Sequence, residues 1–387
     1  MCCPSQRHTA LGLRGNGAGA AARPAVDRIE SPPSVALPSP RSVERASCPV
    51  CCGPSWRNRL ASPDLLLSVP GLFRYVECTR CGTVYQSPRV RDEDLLLCYP
   101  TDFYTHGGGG SWCPTPAPPG SLRDQLRRAI RRAADGVGDD TLSPLIRAAG
   151  SLLAVSPDMR RRARLGLVDA LVLPRGGHGR CLEVGPGQGI EMYCLRELGW
   201  EPYGLEIDTV AAERARLTSG CEVRVGHLTS TDYTDGFFDL VYMGHVFEHL
   251  PDPVAALRRC LELLKPGGRL VLLYPNPGAL TARWYGESSL VWDPPRHLVL
   301  PPLTAVRELL ARLGFAGARG GTLAWSAAVN AGAARRRRRR DTWDPLKLQP
   351  PRLLERAFAV AESLLVALGW PVGEEILVDA RKPETPR

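Results

Sequence analysis

The sequence lacks any apolar run long enough to cross a membrane. No stretch of its 387 residues approaches the about 18 uninterrupted apolar residues that a spanning helix needs. Residues 1–4 also lack the apolar core typical of a secretory signal. We therefore expect an intracellular, cytoplasmic protein.

The 13 cysteines are odd in number and spread over a long chain, which argues against a disulfide framework. Two C-x-x-C pairs, Cys48 with Cys51 and Cys78 with Cys81, are separated by 26 residues and match a four-cysteine Zn²⁺ ribbon. A site closed by four thiolates is structural, because it leaves no open coordination position. Two alternatives stay open: four unrelated buried cysteines, or Cys52 as a ligand in place of Cys51.

The positive charge is local. The net charge is +9, from 49 basic and 40 acidic residues, and six of the basic residues are the arginines at 335–340. This distribution argues against nucleic acid as the main partner. We expect the arginines to lie in a solvated loop, although they could also contact a phosphorylated or lipid-linked acceptor or an anionic membrane. The apolar helix predicted at 353–368 would suit such peripheral docking.

Composition divides the chain into four parts. A tail rich in Ala, Gly, Pro, Ser and Arg is predicted to be disordered. A ribbon-like domain follows, with hairpin strands expected at 65–69 and 72–76. The predicted order is a tail at 1–46, a zinc ribbon-like domain at 47–105, a linker with helices at 106–165, and an α/β domain at 166–383 with an insertion at about 330–370. The helices expected after the linker are 121–134 and 142–173.

Strand and helix patterns alternate from residue 180 onwards. This alternation predicts a doubly wound, mostly parallel sheet with helices on both faces. The predicted strands are 180–185, 202–207, 221–225, 238–243, 269–274, 316–325 and 375–381, and the predicted helices are 189–198, 209–218, 253–264 and 303–313.

The first strand of this domain ends in a glycine turn. Gly185, Gly187 and Gly189 follow the apolar run 181–184, and Glu183 lies inside that run. Glycine permits a tight turn and a close approach of backbone to ligand. The spacing is G-x-G-x-G and not the dinucleotide pattern G-x-G-x-x-G, which disfavours a nicotinamide dehydrogenase. The pattern suits a cationic ligand without phosphate.

Polar residues also follow the next three strands. Glu206 ends the second strand, 17 residues past the third glycine, where a carboxylate can bind ribose hydroxyls. Asp208 is typical of a helix cap. His227 and Leu228 follow the third strand, and residues 244–253 follow the fourth. Because ligands in such sheets bind beyond the carboxyl ends of the strands, these positions predict one nucleoside site.

Three further motifs follow along the chain: E-H-L-x-D-P at 248–253, L-K-P-G-G at 264–268 and W-x-x-P-R-H-L at 292–298. Together with the glycine turn, they resemble the class I S-adenosylmethionine-dependent methyltransferases, in a branch with an N-terminal four-cysteine ribbon. The resemblance covers roughly 48–104 and 178–383. It implies a Rossmann-like methyltransferase sheet with an antiparallel last strand.

The resemblance implies S-adenosylmethionine as cofactor. In that family Gly185, Gly187 and Gly189 would shape the turn at the methionine end, and Glu183 would help to hold the amino group. The other implied contacts are Glu206 to the ribose, His227 and Leu228 near the adenine, and Gly244 at the end of the fourth strand. Many relatives have aspartate where this chain has His227, so the adenine contact departs from the family pattern.

Methyl transfer to oxygen or nitrogen needs an aligned nucleophile and often a base, most commonly histidine. The candidates are His245, His249 and His297, and His249 and His297 are preferred. The alternatives are that Glu248 and His249 cap the next helix, and that His297 anchors its loop beside Arg296. The branch implies a small-molecule, sugar or lipid-linked glycan acceptor.

A second interpretation is a non-catalytic S-adenosylmethionine-binding or zinc-scaffold protein, in which His227 marks decay of the site. The sequence leaves the acceptor, the methylated atom and the oligomeric state open.

Overall fold

The structure is a computed structural model that describes residues 40–43, 47–99, 121–135, 142–155, 179–197, 199–339 and 351–384. Residues 37–387 form one compact unit. The predicted tail, the linker at 106–120 and the second half of the helix predicted at 142–173 lie mostly outside the described residues. Within the tail, β1 (Ser42–Val43) pairs with β5 (Arg89–Val90).

The N-terminal sheet is antiparallel and is completed by a distant segment. It contains β2 (Trp56–Ser62), β3 (Phe73–Cys78) and β4 (Val84–Gln86). Its fourth strand, β11 (Val299–Leu300), pairs with β4 through Val299 opposite Tyr85. The chain beyond residue 290 therefore finishes a sheet begun before residue 60.

The strand predicted at 65–69 is wrong, since β2 forms the hairpin with β3 instead. The Asp64 carboxylate accepts hydrogen bonds from the backbone N–H groups of Leu66 (2.9 Å), Leu67 (3.0 Å) and Val69 (3.2 Å). An aspartate that bonds its own downstream backbone favours a turn over a strand.

Two helices, α1 (Leu122–Asp135) and α2 (Pro144–Leu153), pack closely against each other. A Cβ added at Gly150 would lie 2.4 Å from the Cβ of Ala129, so glycine permits this approach.

The main sheet has seven strands in the order β12-β13-β10-β9-β6-β7-β8. The pairs among β6 to β10 are parallel, and β13 runs antiparallel to both β10 and β12. The predicted mostly parallel sheet with an antiparallel last strand is confirmed. The strands are β6 (Gly179–Val184), β7 (Trp200–Glu206), β8 (Glu222–Val225), β9 (Phe238–Gly244), β10 (Leu264–Pro275), β12 (Ala316–Leu323) and β13 (Glu375–Arg381).

Strands at the centre of this sheet are apolar on both faces because helices cover both sides. Leu182 on β6, Val241 on β9 and Leu272 on β10 are fully buried. The covering helices and their neighbours are α3 (Ile190–Glu197), α4 (Thr209–Ser219), α5 (Pro253–Leu263), α6 (Leu280–Tyr285), α7 (Leu303–Leu313), α8 (Ala327–Arg338) and α9 (Leu353–Ala367). Within the described residues, no helix combines the length and the apolar character needed to span a bilayer.

The arginine run is helical at its start, and the expectation of a solvated loop is wrong there. Residues 335–338 form the last turn of α8. The Arg335 side chain pairs with buried Glu355 of α9, and Arg337 is itself buried. Arg335 therefore joins α8 to α9, and Arg337, which lies 3.7 Å from Asp293, faces a part of the chain outside the insertion.

Candidate functional site

The glycine turn follows β6 with all three glycines in the left-handed region, at φ of +67° for Gly185, +53° for Gly187 and +76° for Gly189. A Cβ at Gly185 would lie 2.6 Å from Val246, and one at Gly189 would lie 2.6 Å from the Cα of Ala215 in α4. The outer two glycines thus serve the protein's own packing as well as any ligand.

Glu206 lies beside this turn, at the end of β7. Its Oε2 accepts from the N–H of Gly187 at 3.1 Å, while Oε1 accepts from Ile207 at 2.8 Å and Asp208 at 3.2 Å. Only 8% of the residue is exposed. The structure therefore brings together the two predicted ends of a nucleoside site, bare backbone and a carboxylate.

The other predicted cofactor residues differ in exposure. Glu183 is buried inside β6, and Leu228 packs into the main apolar core. His227 is exposed just before the short 3₁₀ turn Leu228–Ser230. Gly244 is the last residue of β9 and lies opposite Leu273 of β10. Their cofactor contacts stay predictions.

The loop after β9 is held in an unusual conformation. His245 has a φ of +56°, which a residue with a Cβ rarely adopts. Its N–H donates to the carbonyl of Leu273 at 2.8 Å. The following 3₁₀ turn, Phe247–His249, places Glu248 in the interior. Strained backbone of this kind often occurs at functional loops.

The Glu248 carboxylate is fully buried, and neither oxygen has a hydrogen-bond partner among the described residues. Three imidazoles surround its Oε1, with His245 Nδ1 at 3.6 Å and the Nε2 atoms of His249 and His297 each at 3.9 Å. Burial favours protonation, but the neighbouring histidines, His245 foremost, outweigh it and lower the pKa of Glu248.

Backbone carbonyls fix the tautomers of two of these histidines. His249 Nδ1 lies 2.9 Å from the carbonyl oxygen of Arg296, and His297 Nδ1 lies 2.7 Å from that of Val291. Because a carbonyl only accepts, each Nδ1 carries the hydrogen and each neutral ring keeps an unprotonated Nε2. The Tyr99 hydroxyl also lies 3.1 Å from His249 Nδ1, where its oxygen can accept from the same N–H. Both free nitrogens point toward the side of Glu248.

Burial, reinforced by nearby His249, lowers the pKa of His297 to about 4. This ring is therefore neutral near pH 7. Glu248, His249 and His297 can either take up a proton or hold a divalent cation, since their ligand atoms lie within 4.8 Å of one another. Donation of the other ring N–H to a carbonyl is also usual for metal-bound histidine.

The alternative role of Glu248 and His249 as helix caps is wrong. Asp252 caps α5, accepting from the N–H of Val254 at 3.1 Å and of Ala255 at 2.9 Å. Asp208 caps α4 in the same way, through Ala211 at 2.7 Å, as its sequence position predicts.

The four predicted metal ligands converge in the N-terminal part. Cys48 Sγ lies 3.7 Å from Cys81 Sγ, Cys51 Sγ lies 3.5 Å from Cys78 Sγ, and all four sulfurs lie within 4.8 Å of one another. Thiolates around one tetrahedral Zn²⁺ are separated by roughly 3.8 Å, so the arrangement fits that ion. Cys52 is exposed and is not one of the four clustered cysteines, which favours Cys51 as the ligand.

Three buried polar residues that contact the 292–298 segment were missed from the sequence. The Tyr75 hydroxyl lies 2.9 Å from the carbonyl oxygen of His297, to which Gln86 Nε2 also donates at 2.9 Å. Asp64 pairs with Arg296. The proline and leucines that flank Asp64 do not indicate that it pairs with Arg296, more than 200 positions away.

Comparison with known proteins finds a family match for part of the chain. Residues 157–318 match the family model described as a methyltransferase domain. Curated relatives include the ubiquinone biosynthesis O-methyltransferases of Xanthomonas axonopodis pv. citri (36% identical over 115 residues, 28% of this chain and 47% of that protein) and Alkalilimnicola ehrlichii (34% over 106 residues, 25% and 43%). The chain thus spans under half the length of these relatives.

Solved structures include a SAM-dependent methyltransferase from Archaeoglobus fulgidus, with 18% identity, a TM-score of 0.40 and coverage of 59% of this chain and 95% of that one. Another is phosphoethanolamine N-methyltransferase 2 of Haemonchus contortus with bound S-adenosyl-L-methionine, with 19% identity, a TM-score of 0.40 and coverage of 68% and 60%.

Proposed function

We propose that this chain, whose residues 157–318 match a methyltransferase domain, is an S-adenosylmethionine-dependent methyltransferase for a small-molecule acceptor. The observation that carries the proposal is the hydrogen bond between Gly187 N–H and the Glu206 carboxylate, at 3.1 Å. It joins the two strand ends between which a nucleoside would lie. When bound, S-adenosylmethionine supplies a methyl group on a sulfonium centre.

The residues present suit that cofactor. The Glu206 carboxylate accepts from three backbone N–H groups, and it could bind the two ribose hydroxyls in their place. Buried Glu183 can favour the amino group or the sulfonium charge, and His227 with Leu228 would border the adenine. Gly185, Gly187, Gly189 and Gly244 keep the backbone bare around the methionine end.

On the acceptor side, we propose that His249 takes the proton of a hydroxyl through its unprotonated Nε2. The buried Glu248 carboxylate would stabilise the imidazolium that forms. The pKa of His297 is lowered to about 4, so this ring stays neutral. Its centroid lies 4.9 Å from that of the His249 ring. A hydroxyl acceptor agrees with the printed names of the curated relatives, which are O-methyltransferases.

Calorimetry with S-adenosylmethionine tests the cofactor half. We expect binding in the micromolar range for the native chain and at least a tenfold loss for Glu206→Ala, because the ribose loses a charged acceptor. The matched control is Glu213→Ala on α4, whose side chain is exposed and pairs with Arg216. No binding by the native chain would favour the scaffold interpretation.

Transfer of labelled methyl groups tests the acceptor half. A panel of catechols and phenols should be methylated, and Glu248→Gln and His249→Gln should each slow turnover by about 10²-fold. Nucleotide sugars and lipid-linked glycans form separate arms of the panel. Methylation confined to those arms would replace the small-molecule acceptor with a glycan.

We infer that Cys48, Cys51, Cys78 and Cys81 bind one structural Zn²⁺, because the sulfur separations match a tetrahedral site. Metal analysis should find one zinc per chain. Cys81→Ser should lose it and destabilise the N-terminal sheet, while Cys52→Ser should retain it. Equal zinc loss in both variants would contradict this assignment.

A peripheral contact of α9 with an anionic membrane is also proposed. Leu353, Leu354 and Leu364 are 60–83% exposed on this helix, and Arg352 and Arg356 are exposed beside them. Apolar side chains flanked by arginine suit an anionic lipid surface. Co-sedimentation with phosphatidylglycerol vesicles should exceed that with phosphatidylcholine and should fall for Leu353→Ser/Leu364→Ser. Equal recovery with both lipids would contradict it.

A further inference from the structure

Four charged side chains are buried where the N-terminal sheet meets the segment after α6. The Arg296 guanidinium binds both oxygens of Asp64, at 2.9 and 2.8 Å, and both oxygens of Asp293, at 2.9 and 2.8 Å. Arg337 of α8 lies 3.7 Å from Asp293. Asp64, Asp293, Arg296 and Arg337, here called the charge quartet, thus join three distant parts of the chain.

The charge quartet is balanced, and Arg296 at its centre is fully hydrogen-bonded. Its two carboxylates and two guanidinium groups sum to zero charge. Arg296 also lies 3.3 Å from the carbonyl of Cys98 and 3.4 Å from that of Pro294, so its five N–H donors all have acceptors close by. Such a bidentate pair fixes direction as well as distance, unlike a point contact between two charges. Arg296 is therefore held firmly in one orientation.

The N-terminal sheet also binds the backbone that follows Arg296. Tyr75 and Gln86 of the N-terminal sheet reach the carbonyl of His297, and Val299 pairs with Tyr85 on β4. The N–H of Leu298 donates to the carbonyl of Glu248 at 2.7 Å. The N-terminal sheet thereby orients the backbone of residues 296–299, and this backbone contacts the loop that carries Glu248.

One of these backbone groups fixes the proposed base. The carbonyl of Arg296 accepts the Nδ1 hydrogen of His249 at 2.9 Å, which leaves Nε2 free to take a proton. If the carbonyl turned away, the Tyr99 hydroxyl, 3.1 Å from Nδ1, could donate to that nitrogen instead, and the resulting Nε2–H tautomer is not basic at Nε2. Asp64, which binds the Arg296 side chain, can therefore influence the tautomer of His249 through Arg296 alone.

We propose that Asp64 is a positioning residue for methyl transfer: through Arg296, the N-terminal ribbon holds His249 in its Nε2-basic tautomer. The inference rests on the proposed function and gives the ribbon a role on the acceptor side. The cofactor contacts at Glu206 and Gly187 belong to β7 and the turn after β6, away from this link. Loss of Asp64 should therefore impair the transfer step while leaving cofactor affinity in place.

The test combines two variants with a direct measurement of tautomers. Asp64→Asn keeps the shape but removes the charge, and Arg296→Lys keeps a charge but loses the bidentate geometry. Glu77→Gln is the matched control, since its carboxylate lies in the same sheet and pairs with the exposed Arg57. Long-range ¹H–¹⁵N spectra of ¹⁵N-histidine-labelled, zinc-loaded full chain report which ring nitrogen carries hydrogen, and His249→Gln identifies the signal.

We expect a single Nδ1–H tautomer for His249 in the native chain and in the control, and a mixture in Asp64→Asn and Arg296→Lys. Turnover with a catechol acceptor should fall at least tenfold in both variants, while the Kd for S-adenosylmethionine stays within twofold. Zinc content should be unchanged, and circular dichroism shows which variants are folded; if Asp64→Asn is not, Arg296→Lys decides.

Two results would overturn the proposal. One is an unchanged His249 tautomer with turnover within twofold of native. The other is a parallel loss of turnover and cofactor affinity, which indicates general destabilisation. A native chain that fails to bind S-adenosylmethionine would refute the proposed function instead, while the tautomer comparison would still measure the link from Asp64 to His249.

Discussion

Arg337 of the insertion lies 3.7 Å from Asp293, and both side chains are buried. The charge of Asp293 is shared between Arg337 and Arg296, and burial opposes this charge while the two guanidinium groups favour it, so that the pKa of Asp293 lies well below its usual range. One arginine of the run at 335–340 thus neutralises a buried carboxylate.

Replacement of this arginine should destabilise the protein. Arg337→Met leaves the charge quartet with one guanidinium for two carboxylates, and breaking a buried pair in this way costs about 3–5 kcal/mol. Urea unfolding followed by circular dichroism measures the loss. Arg338→Met is the control, because Arg338 is exposed, and it should stay within about 0.5 kcal/mol of native. Equal effects of the two variants would contradict the role of Arg337.

The third glycine of the turn should be intolerant of a side chain for a packing reason. In Gly189→Ala the new Cβ would lie 2.6 Å from the Cα of Ala215, in addition to a φ of +76°. Gly236→Ala is the control, since its φ is +65° but nothing lies within 4 Å. The control should cost about 1–2 kcal/mol from conformation alone, and Gly189→Ala about 1–3 kcal/mol more. Similar unfolding midpoints would show that α4 can move away.

Replacing one carboxyl group of the buried pair Glu362 and Glu374 should stabilise the protein in a pH-dependent way. Burial, with the nearby charge of Glu374, raises the pKa of Glu362 on α9 to about 9. Between pH 4.5 and 9 the folded chain holds a proton that the unfolded chain releases, so the folded state loses stability as the pH rises. Glu362→Gln removes this proton uptake. We expect the variant to be more stable than native by about 1–3 kcal/mol at pH 8.

Thermal unfolding of Glu362→Gln at pH 4.5 and pH 8 checks the sign, because the gain should shrink towards pH 4.5. Glu308→Gln on α7, where the side chain is exposed, should show no such dependence. A gain that is the same at both pH values would indicate a packing effect and not a proton.

The cap of α5 should contribute modestly. Asp252→Ala leaves the N–H groups of Val254 and Ala255 without their side-chain acceptor and should cost about 0.5–2 kcal/mol in urea unfolding. Asp235→Ala removes an exposed pair with Arg259 and should cost less than about 1 kcal/mol. A larger loss in Asp235→Ala would contradict the assignment of the cap.

Local sequence patterns predicted the α/β domain well because each of its elements carries its own signal. The apolar runs of β6 and β9 and the cap at Asp208 lie within the elements they define, and the structure places these elements within about two residues of expectation. The glycine turn and Glu206 were found in the same way, since both stand at fixed offsets from a strand.

The missed features depend on partners far away in the sequence. The roles of Asp64 and Arg337 depend on their distant partners, Arg296 and Asp293. Local sequence therefore does not distinguish either residue from an ordinary surface charge. The strand expected at 65–69 failed because apolar composition outweighed the turn that Asp64 makes with its own backbone. Long-range pairing, such as that of Val299 with Tyr85, leaves no local periodicity.

The late arrival of β11 has a consequence during synthesis. Until Val299 and Leu300 leave the ribosome, β4 presents a bare row of backbone N–H and C=O groups that any other nascent strand could capture. At the usual elongation rates, the about 200 intervening residues take roughly 10–40 s to make. The newborn chain therefore carries an unfinished sheet until residue 300 has been made.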